Sequence, residues 1–417
     1  MLELDRPDFE PNFDLPRHRW YPYKEGFSAS LVASFLMDYG NGRPGTMLDP
    51  FAGSGTSIVE GAAWGWRCVG VEVNPFTRFL ASVKVENEYR AELVWRHWRC
   101  VLDDAVKGDI EWRLPRGSTL VGHKGLDKWL FNPAVARRYE QLRTSVERVV
   151  PRGKYRRLLT LGLMAGTIRS SNAKRDGKCW RYKTAWQLRR YRGADVDAGF
   201  CEVMQAYADD VAAMPKLAGA GEGVLGDSRV WLREHGPSVV GSADVVLTSP
   251  PYLNSFDYTD IYRPECFLLG VADSAQDLRK VRLQTLRSHV QVEWPEARPS
   301  SIARVQRAVR RVRSRKLWNQ KLPEMINAYF IDLEDVVASC EALLRPSGTL
   351  GMVVASSAYS GVVIPVPEIL ADIMSARGLD VELRDLRVTA GNGHHQNRSK
   401  KTLVESLVIG RKRRSSK

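Results

Sequence analysis

The apolar positions of the 417-residue chain change period several times, and each change marks an element. A short apolar run ends at Leu48 and passes into a glycine-rich turn. From Thr56 to Trp66 the apolar residues Ile58, Val59 and Ala62 share one face, which predicts a helix. Arg67–Val73 reads as a second short strand with an acid, Glu72, at its end. Strand, glycine-rich turn, helix, strand and acid is the order of a nucleotide-binding βαβ unit. Between Arg90 and Ala220 the period lengthens, with helical spacing over Val135–Val150 and Tyr155–Ile168. Short buried strands return at Val224–Leu225 and Ala243–Leu247. A helix over Leu333–Leu344 then leads through Pro346-Ser347-Gly348 into a strand over Thr349–Ala355. A further helix, Pro367–Arg377, and a terminal strand, Leu403–Ile409, close the pattern. The alternation predicts an α/β protein with a doubly wound, mostly parallel sheet, interrupted by a helical insert.

Charge changes this picture. Lys and Arg number 62 against 48 Asp and Glu, a net charge of +14. The excess is concentrated. Residues 151–192 hold thirteen Lys or Arg and one acid, Asp176, with Trp180, Tyr182, Trp186 and Tyr191 interleaved. Residues 298–321 hold nine and no acid, with Val305, Val309 and Val312 at helical spacing. Such stretches suit a polyanion, and nucleic acid is the first candidate. No apolar run reaches the roughly eighteen residues that a membrane span needs. The first ten residues carry acids and no apolar segment, so a cytosolic protein without a signal peptide is expected. The six cysteines are isolated from one another and no His-Glu-x-x-His occurs, so neither a disulfide framework nor a metal site is expected.

Two loops carry the chemistry. Residues 49–56 read Asp-Pro-Phe-Ala-Gly-Ser-Gly-Thr, a turn in which backbone can approach a ligand closely. It has no Gly-Lys-Ser/Thr, which disfavours a triphosphate, and no third glycine of the dinucleotide fingerprint. Asp49 beside it suits a cationic or amine-bearing ligand, and Glu72 is placed to accept from two ribose hydroxyls. A nucleoside with a positively charged appendage fits, and S-adenosylmethionine is the common one. The second loop, Thr248-Ser249-Pro250-Pro251-Tyr252, follows a strand. Its prolines hold the backbone extended and remove two N–H donors. What remains is a carbonyl, the Ser249 hydroxyl and the face of Tyr252: a polar cradle for an NH2 group beside a stacking plate.

These segments together resemble the DNA amino-methyltransferases, which methylate N4 of cytosine or N6 of adenine. The resemblance implies a seven-stranded, Rossmann-like methyltransferase sheet and S-adenosyl-L-methionine as cofactor. It implies that Asp49, Phe51, Gly53, Ser54, Gly55 and Thr56 form the cofactor loop, and that Glu72 and Asn74 lie at the ribose. Asp227 is similar to the acid that holds the adenine amino group. Tyr21–Ser28 resembles the element that closes over the methionine end, which brings in Tyr23, Lys24 and Phe27. Ser249, Pro250, Pro251 and Tyr252 are implied as the catalytic group. The target amine would donate to the Ser249 hydroxyl and the Pro250 carbonyl, with Tyr252 stacked on a base extruded from the helix. No Pro-Cys dipeptide occurs, which excludes a C5-cytosine route through a cysteine nucleophile. Serine where many adenine enzymes carry aspartate favours N4-cytosine, with N6-adenine as the alternative. An RNA amino-methyltransferase and a catalytically silent DNA-binding subunit are further readings.

The expected organisation places the cofactor half in residues 1–90. A helical, basic target-recognition region occupies 91–220, and the catalytic half 221–417, with a basic insertion at about 270–325. Three basic stretches are candidates to hold double-stranded DNA. The first contributes Arg169, Asn172, Lys174, Arg175, Lys178 and Arg181. The second contributes Arg310 and Arg311, and the third His394 and Arg398. The recognition sequence and the presence of a cognate restriction endonuclease are left open.

Overall fold

The computed structural model describes residues 8, 10–105, 110–115, 118–176, 179–391 and 401–414. At its centre is a seven-stranded sheet. In chain order the strands are β1 (Thr46–Asp49), β2 (Arg67–Glu72), β3 (Ala220–Leu225), β4 (Ala243–Thr248), β5 (Leu344–Ala355), β6 (Asp380–Gly391) and β7 (Lys401–Arg411). Across the sheet they lie in the order β6-β7-β5-β4-β1-β2-β3. Strands β1 to β5 run parallel. Strand β7 slots between β5 and β6, antiparallel to both. The fold is the doubly wound, mostly parallel α/β sheet that the alternation of elements predicts.

Two apolar layers sandwich the sheet. On one face, helices α1 (Ala29–Tyr39) and α2 (Thr56–Ala63) pack Phe35, Ile58 and Val59 against Met47, Val245 and Leu247. On the other, the long helix Leu322–Leu343 and the helix Val366–Ala376 bury Phe330, Leu333 and Ile369 against Leu48, Val246 and Leu350. Because the strands are covered on both faces, they read as continuous apolar runs. The strand order reverses between β1 and β4, and a crevice opens there at the carboxyl ends.

After β2 come α3 (Pro75–Val85) and then four helices that leave the sheet: α4 (Ala91–Asp104), α5 (Pro133–Val149), α6 (Lys154–Arg169) and α7 (Gly193–Ala213). They share a third core with α3, built from residues such as Leu80, Tyr139, Leu159 and Phe200. Between α6 and α7 the chain makes a β-hairpin, Ala173–Asp176 with Cys179–Tyr182.

Several boundaries differ from the pattern reading. Helix α2 ends at Ala63, because Gly65 turns the chain with φ +86°. The long helix begins at Leu322, with Pro323 in its first turn. Pro346-Ser347-Gly348 lies inside β5. Strand β6 was not expected at all. Its alternation of Glu382, Arg384 and Asp385 with Leu383 and Leu386 is that of a sheet edge, where charged residues face water. Among the described residues no helix is long and apolar enough to cross a membrane.

Candidate active site

The carboxyl ends of β1, β2, β3 and β4 open on a cleft of about 300 Å³. The loop after β1 is shaped by two glycines. Gly53 (φ +51°) and Gly55 (φ +84°) adopt the left-handed conformation, and Gly55 caps the start of α2. A Cβ on Gly53 would lie 2.9 Å from the Tyr23 hydroxyl oxygen, and one on Gly55 2.8 Å from the Ala81 Cβ. The loop is held from behind by Asp49. Its carboxylate accepts from the Phe51 N–H (2.9 Å), the Thr248 hydroxyl (2.5 Å) and the Ser57 hydroxyl. Burial pushes the Asp49 carboxyl up to about 6, against the pull of those donors. Asp49 does not line the cleft, so its expected contact with a ligand amine is corrected to a supporting role: it binds strands and loop together. Ser54, Gly55 and Thr56 are likewise behind the lining. The Ser54 and Thr56 hydroxyls are buried without a hydrogen-bond partner.

Glu72 lies at the mouth of β2 and lines the cleft with Phe51, Gly53 and Asn74. Its two oxygens accept from the Gly53 N–H (2.9 Å) and the Asn74 N–H (2.7 Å), and burial raises its pKa. The Asn74 side chain caps α3 by accepting from the Phe76 N–H at 3.0 Å. Asp227, beyond β3, also lines the cleft. It caps the helix Ser228–Glu234 and pairs with Arg229 at 2.6 Å, while Arg229 reaches on to the buried Asp332. A carboxylate offers about four acceptor positions, so Asp227 keeps capacity for one more donor.

The Tyr21–Ser28 segment crosses this cleft as a strap. Tyr23, Lys24 and Phe27 all line it. The Tyr23 ring stacks on Tyr262 with centroids 5.3 Å apart and planes 16° from parallel.

Ser249, Pro250, Pro251 and Tyr252 line the opposite side of the same cleft, directly after β4. The Ser249 hydroxyl donates to the Val353 carbonyl at 3.2 Å, which orients its lone pairs as acceptors. The Tyr252 hydroxyl donates to Glu405 at 2.5 Å. Burial, and then the Glu405 charge, raise the Tyr252 phenol well above its ordinary range, so it stays neutral.

The candidate DNA-binding residues fall into different settings. Lys174 is exposed and borders a second cavity of about 310 Å³, beside the strap residues Lys24 and Glu25. Arg169 is exposed and pairs with Glu202 (2.6 Å), and Arg181 pairs with Asp176 (2.5 Å). Two assignments are corrected. Asn172 is fully buried and donates to the Trp129 carbonyl (3.2 Å) and to Asn132 (3.1 Å), so it cannot reach a base. Arg175 is turned inward onto the buried Glu265, and its charge is spent there. Arg310 and Arg311 sit exposed on the helix Ala303–Arg313, whose Val305, Ala308 and Val312 anchor it in the core. Neither lines the cleft. Lys178, His394 and Arg398 lie outside the described residues.

Sequence reasoning missed Glu405, Tyr258, Thr285, His289 and Arg387, all in the cleft lining. Glu405 left one signal: it is the single acid within the apolar strand β7. The others come from a short helix (Tyr258), a loop (Thr285, His289) and the sheet edge (Arg387), with no motif.

No family model matches the chain. It is 25% identical to the type II methyltransferase M.AvaI of Nostoc sp., over 97% of this chain and 88% of that protein. It is 22% identical to M.BsoBI of Geobacillus stearothermophilus, over 93% and 84%. A 69-residue stretch is 36% identical to M.MjaII of Methanocaldococcus jannaschii, covering 16% of this chain and 13% of that protein. Among solved structures, an rRNA methyltransferase of Streptomyces viridochromogenes aligns over 94% of this chain and 86% of its own. Its TM-score of 0.30 and 12% identity are too low to carry an argument. The chain is thus similar to type II methyltransferases along nearly its whole length, and the two motif loops of its doubly wound sheet meet at one cleft.

Proposed function

We propose that the chain is a site-specific DNA methyltransferase that moves a methyl group from S-adenosylmethionine to the exocyclic N4 amine of cytosine in duplex DNA. The observation that carries this reading is the meeting of Glu72 and Asp227 with Ser249–Tyr252 across one cleft. The residues fit the cofactor. Glu72 is the acid for two ribose hydroxyls, Asp227 for an exocyclic amine, and Gly53 leaves beside Tyr23 the space that a Cβ would fill. When bound, S-adenosylmethionine supplies an electrophilic methyl group on a sulfonium.

The chain's own residues prepare the amine. Its lone pair is delocalised into the ring. Two N–H bonds donated to the Ser249 oxygen and the Pro250 carbonyl hold the nitrogen pyramidal and draw the pair out of conjugation. The Tyr252 ring, fixed at its hydroxyl by Glu405, is the plate on which the extruded base stacks. Neutral Ser249 suits the small pocket beside cytosine O2 and N3, which is why cytosine is preferred to adenine. We assign the halves 1–90 and 221–417 to cofactor and catalysis, and 91–220 to target recognition. Exposed Lys174, Arg310 and Arg311 are assigned to the DNA backbone. Relatives named type II methyltransferases favour a restriction–modification pairing with an endonuclease of the same specificity.

Transfer of labelled methyl from S-adenosylmethionine to duplex DNA tests the reading, with Ser249→Ala beside the wild type. Label on duplex DNA that Ser249→Ala abolishes supports it. Label on RNA alone, or none on either polymer, overturns it.

A further inference from the structure

Arg175 lies on the inserted hairpin, yet its side chain points into the protein and is 16% exposed. Its guanidinium pairs with Glu265, which is fully buried and also accepts from the Tyr21 hydroxyl at 2.5 Å. The same guanidinium lies 4.6 Å from the Tyr262 ring centroid, 5.2 Å from Trp180 and 5.5 Å from Tyr21. Trp180, on the other hairpin strand, donates from its indole N–H to the Ile261 carbonyl at 2.9 Å. Tyr262 is therefore gripped from the hairpin side. On its other side it stacks on Tyr23 and donates to Glu25 at 2.6 Å, both of them strap residues. Tyr23 in turn lies against Gly53, the residue whose N–H is held by Glu72.

We infer that Arg175 is a positioning residue for the cofactor side of the cleft, acting through Tyr262 and Tyr23 on the glycine loop. The inserted hairpin, by this path, sets the strap over Gly53 and Glu72, and it does so without touching the ligand. Cation–π contacts strengthen when desolvated, and this one is largely withdrawn from water among three rings. The inference rests on the cleft being the S-adenosylmethionine site. It reassigns a residue whose sequence context suggests DNA.

The test is calorimetric binding of S-adenosylhomocysteine to the whole chain without DNA, with melting temperature as the check on folding. Wild-type binding comes first: no binding would fail the reading of the cleft itself. Arg175→Met is paired with Glu265→Gln, so that no buried charge is left alone. This double variant is expected to bind S-adenosylhomocysteine more weakly by on the order of tenfold, about 1.4 kcal/mol. Its KM for S-adenosylmethionine should rise while its DNA affinity stays within about twofold. Tyr262→Leu should reproduce the effect, and Tyr262→Phe, which keeps the ring, should bind nearly as wild type. Combining Tyr262→Leu with the double variant should add little, because both act along one path. Should the double variant not fold, Tyr262→Leu against Tyr262→Phe carries the same comparison. Unchanged S-adenosylhomocysteine affinity in folded variants would overturn the inference, as would a loss confined to DNA affinity.

Discussion

Glu72→Gln isolates the cofactor half of the site. The Glu72 carboxylate accepts from the Gly53 and Asn74 N–H groups at 2.9 and 2.7 Å, one on each oxygen. The amide that replaces it has one acceptor oxygen. Whichever backbone donor faces the new NH2 group loses its partner, and one of the two ribose acceptor positions disappears with it. A hydrogen bond to a charged group contributes about 1.5–3 kcal/mol. Loss of one ribose contact therefore predicts S-adenosylhomocysteine binding weaker by roughly ten- to hundredfold, at about 1.4 kcal/mol per factor of ten. The orphaned backbone N–H adds a stability cost of about 1–3 kcal/mol that appears without ligand. Isothermal titration with S-adenosylhomocysteine near neutral pH, beside thermal melts of the free proteins, reads the two effects separately. A folded Glu72→Gln protein that binds as tightly as wild type would refute the assignment of Glu72 to the ribose.

Other expectations follow from the same geometry. Ser249→Ala should lower kcat by on the order of 10²–10³, the scale of losing one donor or acceptor poised at the reacting group, while DNA affinity measured by fluorescence anisotropy changes little. Tyr252→Phe keeps the stacking face and loses the hydroxyl bond to the Glu405 carboxylate, so it should cost about 1.5–3 kcal/mol of stability in thermal melts. Tyr252→Ala removes the stacking plate, so kcat/KM for duplex DNA in the methyl-transfer assay should fall by the equivalent of about 1–3 kcal/mol. If the basic stretches neutralise about six to ten phosphates, DNA affinity should fall about 10³–10⁵-fold between 50 and 200 mM salt. A flat salt response would remove the basic-groove assignment. The Asp49 carboxyl, raised to about 6 by burial, binds its proton more tightly folded than unfolded, where the ordinary value is about 3.9. Its contribution is therefore greatest below about pH 4 and is lost as pH rises through about 6, by roughly 3 kcal/mol in all. Asp49→Asn should remove that fall, and parallel melting curves of variant and wild type from pH 4 to 7 would refute it.

Much of the architecture was legible because buried parallel strands write themselves as apolar runs. Met47–Leu48, Val69–Val71 and Val245–Leu247 are such runs, and each ends in the loop that carries chemistry. Strand β6 escaped because an edge strand alternates charge with apolar residues and leaves no run. Within the site, residues on the two motif loops were readable, while their depth was not. Asp49 looks like a ligand contact in one dimension; in three, it ties β1 to the loops from behind the cleft, while Asn74 lines the cleft and also caps a helix. The basic hairpin was misjudged for a related reason. Charge along the chain does not say which way a side chain points, and Arg175 and Asn172 point inward. Glu405 is some 150 residues beyond Tyr252, and only the sheet order, with β7 beside β5 and β5 beside β4, brings it within reach.

The most direct test of the central claim is the chemical identity of the product. Duplex DNA methylated by the purified chain with S-adenosylmethionine is digested to nucleosides and resolved by mass spectrometry. N4-methylcytosine is the expected product. N6-methyladenine would contradict the base assignment drawn from Ser249, and the absence of any methylated nucleoside would contradict the enzyme itself.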